Sequence, residues 1–130
     1  MARRPFWGDE RGAAAVEFAI IANVFIVFVM VIAYFGIMLF NTASLDWAVN
    51  DAVRIASVDS SADQTAISNA INARLSEFGL SNASVTYTKE TINSIQTGHI
   101  QASYVQTYSI PFIRTFDMTY SSQAYVPVGS

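Results

Sequence analysis

The chain has no cysteine among its 130 residues. Disulfides, thiolate nucleophiles and cysteine-based metal sites are thereby excluded. It has one histidine, His99, and formal net charge −3 with seven Lys and Arg against ten Asp and Glu. No basic stripe is present to follow a phosphate backbone, so nucleic-acid binding is not expected. There is no Gly-rich phosphate loop, no G-x-S-x-G nucleophile turn and no carboxylate or histidine cluster at metal-ligand spacing. No cofactor or metal is expected, and no enzymatic activity. His99, without a cysteine or serine partner, reads as a surface residue beside a turn.

What the chain does have is a long apolar run. No charged residue occurs from Phe18 to Leu45. As a helix those positions extend about 42 Å at ~1.5 Å per residue, against roughly 30 Å of bilayer hydrocarbon. A soluble domain would need a large partner surface to bury such a helix, and the rest of the chain is too small to supply one. The run is also about twice the length of a signal-peptide core, and no clear small-residue cleavage site follows it, so it reads as a retained anchor. Arg3, Arg4 and Arg11 precede it, whereas Asp46 and Asp51 come before the next basic residue, Arg54. The excess of Lys and Arg on the N-terminal side places the N-terminus in the cytoplasm and the C-terminal part outside.

The residues just before and inside this run are Gly12-Ala13-Ala14-Ala15-Val16-Glu17-Phe18. A cut after Gly12 would make Ala13 the new N-terminus and Glu17 the fifth residue. That spacing resembles type IV prepilins, which a peptidase cleaves after Gly on the cytoplasmic side. The wording RGAAAVEFAII, with Phe18 following Glu17, resembles more closely the TadE-like pseudopilins of the tight-adherence (Flp) pilus system. The stretch NTASLDWAVNDAVRIASV is similar to that family's helical extension, although Trp47–Ala52 lacks a second arginine.

The resemblance implies a pseudopilin-like, minor-pilin subunit of Flp pilus assembly and cell adhesion. Gly12 and Ala13 would be the processing site for a prepilin peptidase, and Glu17 with Phe18 the assembly and recognition residues. Other pilin or pseudopilin subunits would pack along the N-terminal helix. The protein would lie in the inner membrane as a single-pass protein or enter the pilus, with its outer domain periplasmic or extracellular. The alternative is an uncleaved, single-span periplasmic binding or adaptor module, for which Gly12 and Glu17 are incidental. Glu17 one turn from the charged leader would then rest among lipid headgroups without a partner. Asn23 and Gly36, the other non-aliphatic points of the run, suit either a helix-contact face or no role.

Beyond Phe40, Leu45, Ala48, Val49, Ala52 and Ala56 recur at steps of three and four, an amphipathic helical face that continues the helix to about Val58. Ser61-Ala62-Asp63-Gln64 fits a capping box with Ser61 at the cap. It opens a second helix with Ile67, Ala70, Ile71, Leu75 and Phe78 on one face, closed by Gly79. Asp59 and Asp63 have too little around them for a calcium loop and read as caps. From Ser84 the apolar period becomes two, predicting three strands, with Gly98 at the first turn and Pro111 opening a break, PFIRTFD, before the last strand. Tyr104, Tyr108, Phe112, Phe116, Tyr120 and Tyr125 suit cross-strand packing or a binding surface.

The expected architecture is α+β: a transmembrane helix running into a small domain with a second helix and a three-stranded antiparallel sheet. The expected divisions are a leader at 1–12, the helix and its extension at 13–58, and the outer domain at 59–130.

Overall fold

The computed structural model describes residues 10–110 and 114–128. Most of the 1–12 leader therefore lies outside the described residues, as do Pro111 and Phe112. Helix α1 spans Glu10–Val58, helix α2 spans Gln64–Glu77, and strands β1 (Ser84–Ile92), β2 (Ile95–Ile110) and β3 (Arg114–Pro127) follow. The strands form one antiparallel sheet in the order β1-β2-β3. The chain divides into two compact units between Met38 and Leu39.

The first unit presents its large side chains outward. Phe18, Val24, Phe28 and Phe35 are each more than 60% exposed. This helix is long and apolar enough to cross a membrane.

The second unit holds a packed core. Leu45, Ala48, Val49, Ala52 and Ala56 are buried on one stripe of α1. The alanines keep that stripe narrow, so neighbouring elements can approach its backbone. From α2, Ile67, Ile71 and Leu75 are fully buried. From the sheet come Tyr87, Ile100, Ala102, Tyr104, Tyr108, Tyr120 and Val126, all on one face by the alternation of the pleat. Arg74 of α2 bridges Asp51 of α1 at 3.1 Å, and the Phe40 and Phe78 rings meet edge to face at 6.0 Å.

The ends of α2 differ in part from the sequence expectation. Asp63, not Ser61, is the N-cap: its carboxylate accepts the Ala66 N–H at 2.8 Å. A carboxylate there also complements the helix dipole. Ser61 instead donates through its backbone and hydroxyl to Asp59. Those bonds, the hydroxyl's first, hold the Asp59 carboxyl below its ordinary pKa. Gln64, freed from the capping box, reaches the outer edge of β1, where its Nε2 donates to Val85 O and its Oε1 accepts Tyr87 N–H. One side-chain amide thus stands in for a neighbouring strand. Gly79 closes α2 as expected: its φ is +70°, its N–H donates to Ser76 O, and Leu80 N–H donates to Leu75 O, a Schellman closure.

The first hairpin also turns elsewhere than at Gly98. Asn93 and Ser94 form a two-residue loop with φ of 51° and 66°, closed by the Ile92–Ile95 pair. Positive φ at both positions matches the strand twist, and asparagine tolerates it well. Gly98 lies within β2 for a different reason. A Cβ there would come within 2.7 Å of the Tyr87 ring and 3.1 Å of Val126. His99 is likewise a strand residue, half-buried and stacked on Tyr125. Arg114–Asp117, expected in the break, already belong to β3 and pair with β2.

Candidate functional site

Gly12 and Ala13 lie in the first turn of α1 as it is described from Glu10. Nothing approaches the open side of Gly12 within 4 Å. Glu17 follows Ala13 by four residues, which places both on one face, about 6 Å apart along the axis. Both are exposed, and Phe18 beside them is 72% exposed. Among the described residues the Glu17 carboxylate has no hydrogen-bond or ionic partner. The structure therefore brings the four expected site residues together within two turns, on a helix whose following apolar side chains are uncovered. Asn23 is exposed, and a Cβ at Gly36 would meet no side chain within 4 Å among the described residues.

A second polar arrangement was not expected from the sequence. Asn41 is buried, and its Nδ2 donates to the Tyr108 hydroxyl at 2.6 Å. Tyr108 and Tyr120 share a hydroxyl hydrogen bond of 2.7 Å, and the Tyr104 hydroxyl donates to Asn41 O at 3.4 Å. Burial pushes Tyr104 up to about 12 and raises Tyr108 further, with its bond to Tyr120 adding to the effect. These neutral hydroxyls satisfy a buried amide and pin the sheet to α1. The signal in the sequence was an Asn closing the apolar run, opposite tyrosines at period two.

Asp59 and Asp63 act as turn and cap acceptors, as expected, and among the described residues no cluster of metal-ligating side chains occurs. On α1, Trp47 is 71% exposed and borders a hollow of about 280 Å³ with Asp51, Arg54 and Arg74.

The stretch from Gly12 to Arg54 contains the Gly12–Phe18 sequence, the exposed apolar helix and the start of its buried extension. Its sequence matches the model of a known family over residues 12–54, that of the TadE-like proteins. This stretch is TadE-like. The TadE-like match ends before α2 and the sheet. No curated protein and no solved structure matches the chain.

Proposed function

We propose that the chain is a pseudopilin-like, minor-pilin subunit that takes part in assembling a tight-adherence (Flp-type) pilus. The observation that carries this reading is the start of the TadE-like match at Gly12, followed by Glu17-Phe18 on an apolar helix whose large side chains Phe18, Val24 and Phe28 are exposed. In this reading a prepilin peptidase cuts between Gly12 and Ala13. The remaining chain sits in the inner membrane with its N-terminus cytoplasmic and its C-terminal domain periplasmic or extracellular, the orientation favoured by Arg3, Arg4 and Arg11. No catalytic step is assigned to it.

Processing creates an α-ammonium at Ala13, one helical turn from Glu17. An unpartnered carboxylate deep in the bilayer costs roughly 2.5–3.5 kcal/mol on insertion scales. The ammonium of an adjacent pilin-type helix neutralises it, and this pairing fixes the axial stagger between the two helices. Phe18 and the aliphatic side chains after it supply the packing surface.

Glu17→Ala and Glu17→Gln test this role. Both variants are expected to be processed at Gly12 yet to lose crosslinks to partner pilin helices and incorporation into assemblies. Assembly of both at the wild-type level would contradict the assigned role of Glu17.

A further inference from the structure

The sheet face turned away from the core has no part in the role proposed above. Gln101 and Gln123 are cross-strand partners at its centre, with Ser103 and Ser121 paired on one side and His99 and Tyr125 on the other. Successive pairs on this face lie about 6.7 Å apart along the strands, and neighbouring strands about 4.8 Å apart. An open depression of about 440 Å³ lies over the central pairs, extends to Ser84 and Thr86 of β1, and has no charged side chain in its lining.

The chemistry of this array is narrow. Gln101 Nε2 donates to Gln123 Oε1 at 3.4 Å, so Gln101 Oε1 points its acceptor, and Gln123 Nε2 its donors, to other groups. The serine and threonine hydroxyls around them both donate and accept. At the edge of the array the Tyr125 ring stacks on His99, centroid to centroid 4.3 Å and 2° from parallel, yet stays 60% exposed. The histidine thus holds an aromatic plane upright at the edge strand.

We propose that this face binds a neutral oligosaccharide. A sugar hydroxyl is donor and acceptor at once, which suits an array of amides and hydroxyls. The C–H face of a pyranose ring needs a flat apolar partner, which Tyr125 supplies. An acidic glycan or a nucleic acid would find no cation in the depression, and an apolar ligand would find no greasy wall. The inference stands apart from processing at Gly12 and from Glu17, so either can fail alone.

The test uses the full chain in lipid nanodiscs, titrated calorimetrically with maltohexaose, cellohexaose and chitohexaose, and with heparin hexasaccharide as the acidic probe. At least one neutral hexasaccharide is expected to bind, and heparin hexasaccharide is not. Gln123→Ala and Tyr125→Ala should each weaken that binding by about tenfold or more. Gln123→Glu, which keeps the side-chain shape, should weaken it similarly, whereas Trp47→Ala on a different surface should leave it unchanged. Circular dichroism checks that each variant keeps its fold. Binding of none of the neutral probes, preference for the acidic probe, or neutral binding untouched by Gln123→Glu and Tyr125→Ala would overturn the proposal.

Discussion

Helix α1 contains two regions built on opposite rules. Between Val16 and Phe40 the phenylalanines, valines and isoleucines are exposed, with Phe18 at 72% and Phe28 at 62%. Between Leu45 and Ala56 a single stripe of smaller apolar residues, Leu45, Ala48, Val49, Ala52 and Ala56, is no more than 1% exposed, while Trp47 and Ile55 lie off that stripe and are exposed. Apolar content alone therefore does not identify a protein core. What separates the regions is angular distribution: apolar residues on every side in the first, and in the second a buried apolar stripe opposite a face that carries Asp46, Asn50 and Arg54. The first is suited to lipid and neighbouring helices, the second to its own sheet and second helix.

Truncations should divide along the same line, and the largest contrast is Leu45→Ala against Phe28→Ala. Leu45 fills the core, so its truncation should lower the stability of the outer domain by about 2–5 kcal/mol. Phe28→Ala should leave that stability unchanged. Denaturant unfolding in nanodiscs, followed by tyrosine circular dichroism, measures both. Equal losses for the two variants would break the comparison.

Asn41→Leu probes the junction between the regions. It removes the side-chain donor to Tyr108 and sets an apolar group against the buried hydroxyl, a loss of about 1–3 kcal/mol. The same unfolding measurement reads it, and Asn23→Leu in the exposed region should show no loss.

The tyrosine cluster sharpens the contrast through pH. Tyr104 is pushed up to about 12 by burial, above the ordinary value near 10. The folded state then holds a proton that the unfolded chain releases, so stability is full below about pH 10 and falls as pH rises toward 12. Tyr108 shifts in the same direction. Stability measured from pH 8 to 11.5 should decline only in the upper part of that range, and Tyr104→Phe should flatten the decline.

The parts of this fold legible in the sequence are those set by periodicity. The buried stripe Leu45–Ala56, the α2 face of Ile67, Ile71 and Leu75, the Gly79 closure and the three antiparallel strands follow from steps of 3.6 and two. Local choices among equivalent residues were not legible. Asp63 and Ser61 both suit a cap, and the tertiary demand of the β1 edge for Gln64 decides between the two arrangements. Gly98 resembles a turn residue, but its small size is required by the Tyr87 ring packed over it, a contact between strands. For the candidate site, the spacing of Gly12, Ala13, Glu17 and Phe18 was visible, because the four are near neighbours in sequence, within two turns of one helix. The Asn41–tyrosine cluster was hidden, because it joins residues more than 60 positions apart.

The most direct test of the central claim is the N-terminal sequence of the membrane-extracted protein, produced with and without a prepilin peptidase. The account predicts a start at Ala13-Ala14-Ala15-Val16 only when the peptidase is present. A start at Met1 or Ala2 under both conditions would contradict it and favour an uncleaved, membrane-anchored binding module.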